Sequence, residues 1–383
     1  MTRRARNIDT RPNPPVESAT ASRPFSLARL ALVLIVPIIA YASLRPFHGW
    51  RHTGNPPFGF LFTPPRLLAP FDVLLNIAGY VFLGLCLTLA LFPRVRGARA
   101  LAIGSFAPAL FSLLVEAIQT YLPGRYPSLI DVGTNTLGAT IGAALAVLCT
   151  PWLLDHRGGR RLRERWLVPG HGTELGVLVL LIWFATLFAQ RTILFGTGDL
   201  RANFGATIEL TLPPILYTVT EVFIIAANLV TVGLILRLVM AGGVARVRWF
   251  FALVAAAIVT RFVAQLTFWK LAAAFHWITP TALMGLTIGS AIAIIVLDMS
   301  QRAAAITGLA LIAAAVIVVN AAPPDPDLWL QPNAPRERML VGLVLVARYA
   351  AKGWPLAAMI YLVLALRQIR TGRLMQQGTA HSP

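Results

Sequence analysis

The sequence predicts an all-α fold: a polytopic transmembrane helical bundle of about ten spans, with both termini cytoplasmic. Three observations carry this. Of 383 residues, 57% are hydrophobic and only 13% charged, about half the charge of a soluble protein. Apolar runs recur from residue 27 to residue 366, and about 20 such residues cross a bilayer. The arginines gather in alternate connecting segments, as the positive-inside rule requires. The ten-residue alternating strands of an outer-membrane barrel are missing from the pattern.

Taken in order, residues 1–26 are rich in Arg, Pro, Ser and Thr and read as a disordered basic tail. The first apolar run, 27–44, contains AYAS, which resembles a signal-peptidase site after Ala42. The charged leader is long for a signal peptide, so an uncleaved helix is the favoured reading. Further spans are expected at 71–92, 99–121, 129–151, 174–190, 215–238, 249–269, 279–297, 303–320 and 351–367. A short apolar piece at 338–349 is either interfacial, re-entrant, or an extension of the last span with Gly353-Trp354-Pro355 as the break. The organisation is thus a tail, a four-helix membrane domain over 27–155, an Arg-rich cytoplasmic link over 156–173, and a six-helix membrane domain over 174–383.

Orientation follows from charge. Arginines precede span one and follow spans two, four, six, eight and ten, for example Arg94 and Arg96, Arg160 and Arg161, Arg246 and Arg248. Every even crossing therefore ends in the cytoplasm. The longer loops, 45–70, 191–214 and 321–337, fall on the outer face. The net charge of +18 reflects topology and anionic headgroups; nucleic acid is not an expected partner, because no aromatic-basic module accompanies it. Cys86 and Cys149 lie in apolar runs and read as reduced packing residues. No HExxH occurs, and His48 and His52 flank a glycine in a Pro-rich loop. No metal site and no cofactor is expected.

Polar residues interrupt the first four spans at one depth. Asp72 and Asn76 open span two, Glu116 and Gln119 close span three, and Asp131 and Asn135 open span four. Pro123-Gly124-Arg125 forms the outer turn, and Arg45 follows span one. Antiparallel crossing brings all of these to the outer face. Charges aimed at lipid would cost several kcal/mol, roughly, so the carboxylates should face the bundle and pair, with Arg125 and Arg45 as the available cations. Arg125, Glu116 and Asp131 are expected to form one cluster, with Asp72 in reach. Plainer roles exist for the same residues: Asp72 and Asp131 as helix caps, Gln119 and Asn135 as interhelical bonds, Gly138 and Gly142 as a packing pair.

The pattern Glu116-x-x-Gln119, Pro123-Gly124-Arg125, Asp131-x-x-x-Asn135-x-x-Gly138, preceded by Asp72-x-x-x-Asn76 and Arg45, resembles the VanZ-like family over about residues 30–155. The resemblance implies an integral membrane fold and a cell-envelope context. The family's namesake is associated with low-level resistance to teicoplanin, a glycopeptide antibiotic. It implies no reaction, and residues 174–383 lie beyond its four-helix core.

In the second half, Glu221 on span six and Arg261 and Gln265 on span seven fall near the same face. Glu221 and Arg261 can pair, or each can bond to backbone. The leading functional expectation is a non-enzymatic membrane protein whose outer polar pocket binds an amphiphile, either a lipid-linked envelope component or a lipoglycopeptide, with membrane lipids as further partners. A transporter or flippase, and a membrane enzyme using Glu116 and Asp131 on a lipid-linked substrate, are the alternatives. No His, Ser or Cys nucleophile motif supports the enzyme.

Overall fold

Regular apolar runs free of strand periodicity leave the backbone one way to satisfy itself in lipid, which is the helix. The computed structural model describes residues 26–44, 47–52, 54–63, 70–122, 124–150, 165–168, 171–190, 192–201, 213–241, 245–322 and 340–379. Among them are ten α-helices and no β-strand. They are α1 Ser26–Leu44, α2 Pro70–Leu91, α3 Gly97–Gln119, α4 Leu129–Thr150, α5 His171–Thr186, α6 Pro214–Val239, α7 Arg246–Phe268, α8 Pro280–Val296, α9 Gln301–Ala321 and α10 Val341–Thr379. Eight are long and apolar enough to cross a membrane; α5 and α8 are shorter. This is a multi-pass membrane protein. The basic tail, Arg45, most of the 156–173 link and the loop 323–339 lie outside the described residues.

The α2–α4 pair is the tightest seam of the first half, and glycine makes it possible. A Cβ on Gly138 would overlap the carbonyl of Ile77, one on Gly142 that of Val81, and one on Gly84 that of Ala139. Backbone therefore rests on backbone, as small-residue seams permit. Ala139, Ala143 and Ala146 are fully buried along this line. The opposite faces carry Phe82, Leu137, Leu145 and Leu148, all exposed, as lipid-facing positions should be. Cys149 lies on an exposed face and Cys86 is half-buried.

The second half packs around α6. From Ile224 to Ile235 every residue of α6 is buried, which fits its uniformly apolar sequence. Gly285 and Gly289 of α8 lie against Ile225 and Ala226, and Gly308 of α9 faces Leu362 of α10. At about 1.5 Å per residue, the 16 residues of α5 fall short of a ~30 Å hydrocarbon core. The chain after it, residues 187–190 and 192–201, folds back into the bundle. Thr197 Oγ1 donates to Asn228 Oδ1 at 2.9 Å, and Asn320 of α9 bonds both Gly198 O and Leu200 N, each at 2.8 Å. Irregular backbone inside a membrane protein survives only where such groups satisfy it.

Of the apolar piece 338–349, residues 341–349 form the first part of α10. The expected break at Gly353-Trp354-Pro355 does not occur, and α10 runs through Pro355. Proline supplies no N–H to the carbonyl four residues back, here Ala351 O. That carbonyl instead accepts from Gly198 N at 2.8 Å. Gly198 has φ +82°, and a side chain there would press on Pro355 and Val316, so only glycine suits the position. Trp354, fully buried, donates its Nε1 to Val179 O of α5 at 2.9 Å.

The two halves meet where α10 begins. Gly342 lies against Ala42 of α1, Tyr41 bonds Tyr349 through their hydroxyls at 3.3 Å, and Leu75 of α2 packs beside Phe268, Leu340 and Val344.

Candidate functional site

The described polar groups of interest in the first half sit at one end of α1–α4, opposite the end that carries Arg94, Arg96 and Arg99. Glu116 is 5% exposed, in the last turn of α3. Its Oε2 accepts the N–H of Ser128 at 2.9 Å. Ser128 in turn caps α4: its Oγ accepts from Ile130 N at 3.1 Å, and Asp131 stands three residues on. Glu116 thus holds the residue that starts the next helix. Asp131 and Arg125 both act on Glu116 through space.

Asn76 of α2 donates Nδ2 to Asp131 Oδ1 at 2.6 Å, a bond across the glycine seam. Asn135, one turn further along α4, donates Nδ2 to Ser112 Oγ of α3 at 2.9 Å. Its Oδ1 is buried and accepts from no partner among the described residues. Tyr80 of α2, 5% exposed, places its hydroxyl beside Ser112 and near Glu116. The end of α1 closes the arrangement through its orphan carbonyls. Gln119 Nε2 donates to Ser43 O at 2.9 Å and Arg125 Nη2 to Ala42 O at 3.1 Å.

A loop lies over this end. Arg51 N donates to Tyr121 O at 3.1 Å, Thr120 Oγ1 to Pro57 O at 3.2 Å, and His52 meets the Tyr121 ring edge-on. His52 Nδ1 accepts from Gly54 N, a turn contact. Trp50, Phe58, Phe62 and Tyr126 are exposed around the same rim, the pattern of a membrane–water interface. Among the described residues no three His, Cys, Asp or Glu gather to hold a metal ion.

The geometry therefore brings together Asn76, Glu116, Gln119, Arg125, Asp131 and Asn135. Arg45 and the Asp72 side chain lie outside the described residues. Residues 15–150 match the VanZ/LLP1 family. The VanZ-like region so defined comprises α1–α4 and starts earlier than the motif-bearing stretch by itself indicates. Comparison with curated proteins and with solved structures found no match.

In the second half, Arg261 and Gln265 bond within their own part of the bundle. Arg261, 4% exposed, donates Nη1 to Leu187 O at 2.8 Å and to Ala189 O at 2.7 Å. It satisfies the carbonyls just beyond the C-terminus of α5, where a cation is favoured; bonding to backbone, rather than pairing with Glu221, is what this arginine does. Gln265 is buried one turn further on, its carbonyl accepting from Trp269 N at 2.8 Å. Glu221 is half-buried near the start of α6.

Sequence reasoning passed over Ser112, Tyr80 and Ser128. Ser112 lies four residues before Glu116, on the same helix face, and Ser128-x-x-Asp131 is a variant of the capping-box spacing. Both signals were present in the sequence. The carbonyls of Ala42 and Ser43 carry no sequence signal.

Proposed function

We propose that the VanZ-like cluster is a binding site for an amphiphilic component of the cell envelope or a lipoglycopeptide, on the outer face of the cytoplasmic membrane, and that it contributes to glycopeptide tolerance. The observation that carries this reading is the Oδ1 of Asn135, a buried acceptor with no donor among the described residues, amid Ser112, Tyr80 and Glu116. Leaving such an atom unmet costs about 1–3 kcal/mol, which an entering sugar hydroxyl, amide or ammonium would offset. The Arg125 guanidinium, bonded to Ala42 O at the end of α1, suits a carboxylate or phosphate. The exposed aromatics Trp50, Phe58 and Phe62 suit an acyl chain held at the interface.

The cluster is rich in acceptors and carries no activated nucleophile, so it fits recognition better than turnover. The test is a titration of the purified full chain in nanodiscs with teicoplanin, followed by intrinsic tryptophan fluorescence. Wild type should bind saturably. Arg125→Gln and Asn135→Leu should each weaken binding about tenfold, the equivalent of one charge-assisted or buried hydrogen bond, with thermal stability checked in parallel. Equal affinity in wild type and in both folded variants would sink the proposal.

A further inference from the structure

The second half of the chain holds a positive charge that the fold answers only in part. Arg261 lies about two turns from the end of α7 that is opposite Arg246 and Arg248, on the face that the charge pattern assigns to the outside. It is 4% exposed. Its bonds to Leu187 O and Ala189 O both leave from Nη1, and those bonds serve the fold. The carbonyls at a helix end amount to roughly half a negative charge, so about half of the guanidinium charge is left over. No acidic side chain acts on Arg261 through space among the described residues. A charge buried inside a membrane helix is costly unless it is paired, which is why such residues concentrate where ligands or ions are held.

The remaining edge of the guanidinium has a definite chemistry. Nη1 stands on the side of the Cδ methylene. The opposite edge, Nε with Nη2, presents two parallel N–H groups, the fork that grips a carboxylate or a phosphate. Nε is buried and bonds no acceptor among the described residues, and Nη2 takes no part in the two carbonyl bonds. One turn further on, on the same face of α7, Gln265 is 7% exposed and adds a carboxamide with two more N–H donors. The chain beyond α5 is fastened against this face. Gln190 Nε2 donates to Phe188 O, and its Oε1 accepts from Trp269 Nε1, both at 3.2 Å. Phe188 and Trp269 pack on Phe268, Leu340 and Val344, which keeps one side of the cluster dry, where a partly answered charge is costliest.

We propose that an oxyanion, the phosphate or carboxylate group of a ligand, binds this cluster. Two of its oxygens accept from Nε and Nη2 of Arg261, and Gln265 Nε2 donates to one of its oxygens. The Nη1 bonds stay in place, so the guanidinium is oriented before the anion arrives, which lowers the cost of binding. The site uses α7 and the chain just beyond α5, and none of Glu116, Arg125 or Asn135. It therefore stands or falls apart from the teicoplanin reading.

The experiment uses the full chain, delipidated and placed in phosphatidylcholine nanodiscs, with the ionic strength fixed by chloride. The thermal midpoint and tryptophan fluorescence are followed in two arms. In one, inorganic phosphate is added; in the other, phosphatidylglycerol replaces part of the phosphatidylcholine. Wild type should show a saturable rise in midpoint, as a ligand of the folded state produces. A rise with inorganic phosphate identifies a soluble oxyanion as sufficient, and a rise with phosphatidylglycerol alone identifies a lipid headgroup. Arg261→Lys keeps the charge and can still donate to both carbonyls, but it has no fork, and it should weaken the response about tenfold. Gln265→Leu leaves Arg261 and its carbonyls untouched and should weaken it about fivefold, the equivalent of one hydrogen bond. No saturable response of wild type in either arm overturns the proposal, as does a response of equal strength in wild type and both variants. If Arg261→Lys does not fold, Gln265→Leu decides by itself, and an unchanged response in that variant overturns the proposal.

Discussion

Glu116 links two helices through one hydrogen bond, and that bond has a size. The N–H of Ser128 donates to its carboxyl group in a buried setting, where leaving such a donor unmet costs about 1–3 kcal/mol. Glu116→Ala leaves that N–H and the Ser128 cap unsupported, so a clear drop in thermal midpoint is expected. Glu116→Gln keeps an acceptor and should lose much less. Arg125 completes the design, since it acts on Glu116 through space while tying itself to Ala42 O. A double-mutant cycle of Glu116→Ala and Arg125→Ala separates the roles. Coupling in the thermal midpoint marks a structural lock; coupling confined to teicoplanin binding marks a ligand site. Additive effects in both measurements would refute a shared cluster. Arg261 shows how differently a buried arginine can be used: two carbonyls beyond the end of α5 hold it, and it serves the fold.

At the scale of elements, the seam between α2 and α4 decides where the polar groups meet. Gly142 and Gly138 let the two backbones touch, and the Asn76–Asp131 bond closes one end of that seam. Gly142→Leu would drive a side chain into Val81 O, at a cost above the ~1–3 kcal/mol typical of overpacking, because backbone rather than side chain must yield. Cross-linking between cysteines placed at Asn76 and Asp131 should be efficient in an otherwise cysteine-free background and fall in the Gly142→Leu variant. Unchanged cross-linking would mean that the seam does not position these groups. Much of this level was legible beforehand. The depth of Asn76, Glu116, Asp131 and Asn135 follows from counting residues between runs, because a helix rises steadily and crossings alternate. Which polar group bonds which was not legible. Asn135 choosing Ser112, and Glu116 choosing Ser128, depend on helix rotation, which sequence spacing does not specify.

For the whole molecule, the arginine alternation predicts an orientation. Reporter fusions after Arg165 and after Arg373 should both report cytoplasm, since each follows an even crossing. An external signal at either position would reverse the assignment of the two ends. It would also exchange the faces of the acceptor-rich cluster and the end that carries Arg94, Arg96 and Arg99. The two ends of these four helices differ: one has orphan carbonyls and carboxylates, the other arginines and an uncapped helix start. The second half touches the first where α10 meets α1, through Gly342 on Ala42 and Tyr349 on Tyr41.

The linear sequence by itself determined the helical class, the limits of most helices and the depth of the polar groups. All of these depend on local composition and on the fixed rise of a helix in a medium that forbids unpaired backbone. Only the tertiary structure decided that α10 runs unbroken through Pro355, that residues 187–190 and 192–201 fold inward, and that Arg261 serves carbonyls. The reason is common to the three. Each turns on a backbone carbonyl or amide finding a partner far along the chain: Ala351 O with Gly198 N, the 197–200 segment with Asn228 and Asn320, Leu187 O and Ala189 O with Arg261. Every residue carries the same backbone groups, so the one-dimensional pattern does not mark which of them will be left over until the helices have packed.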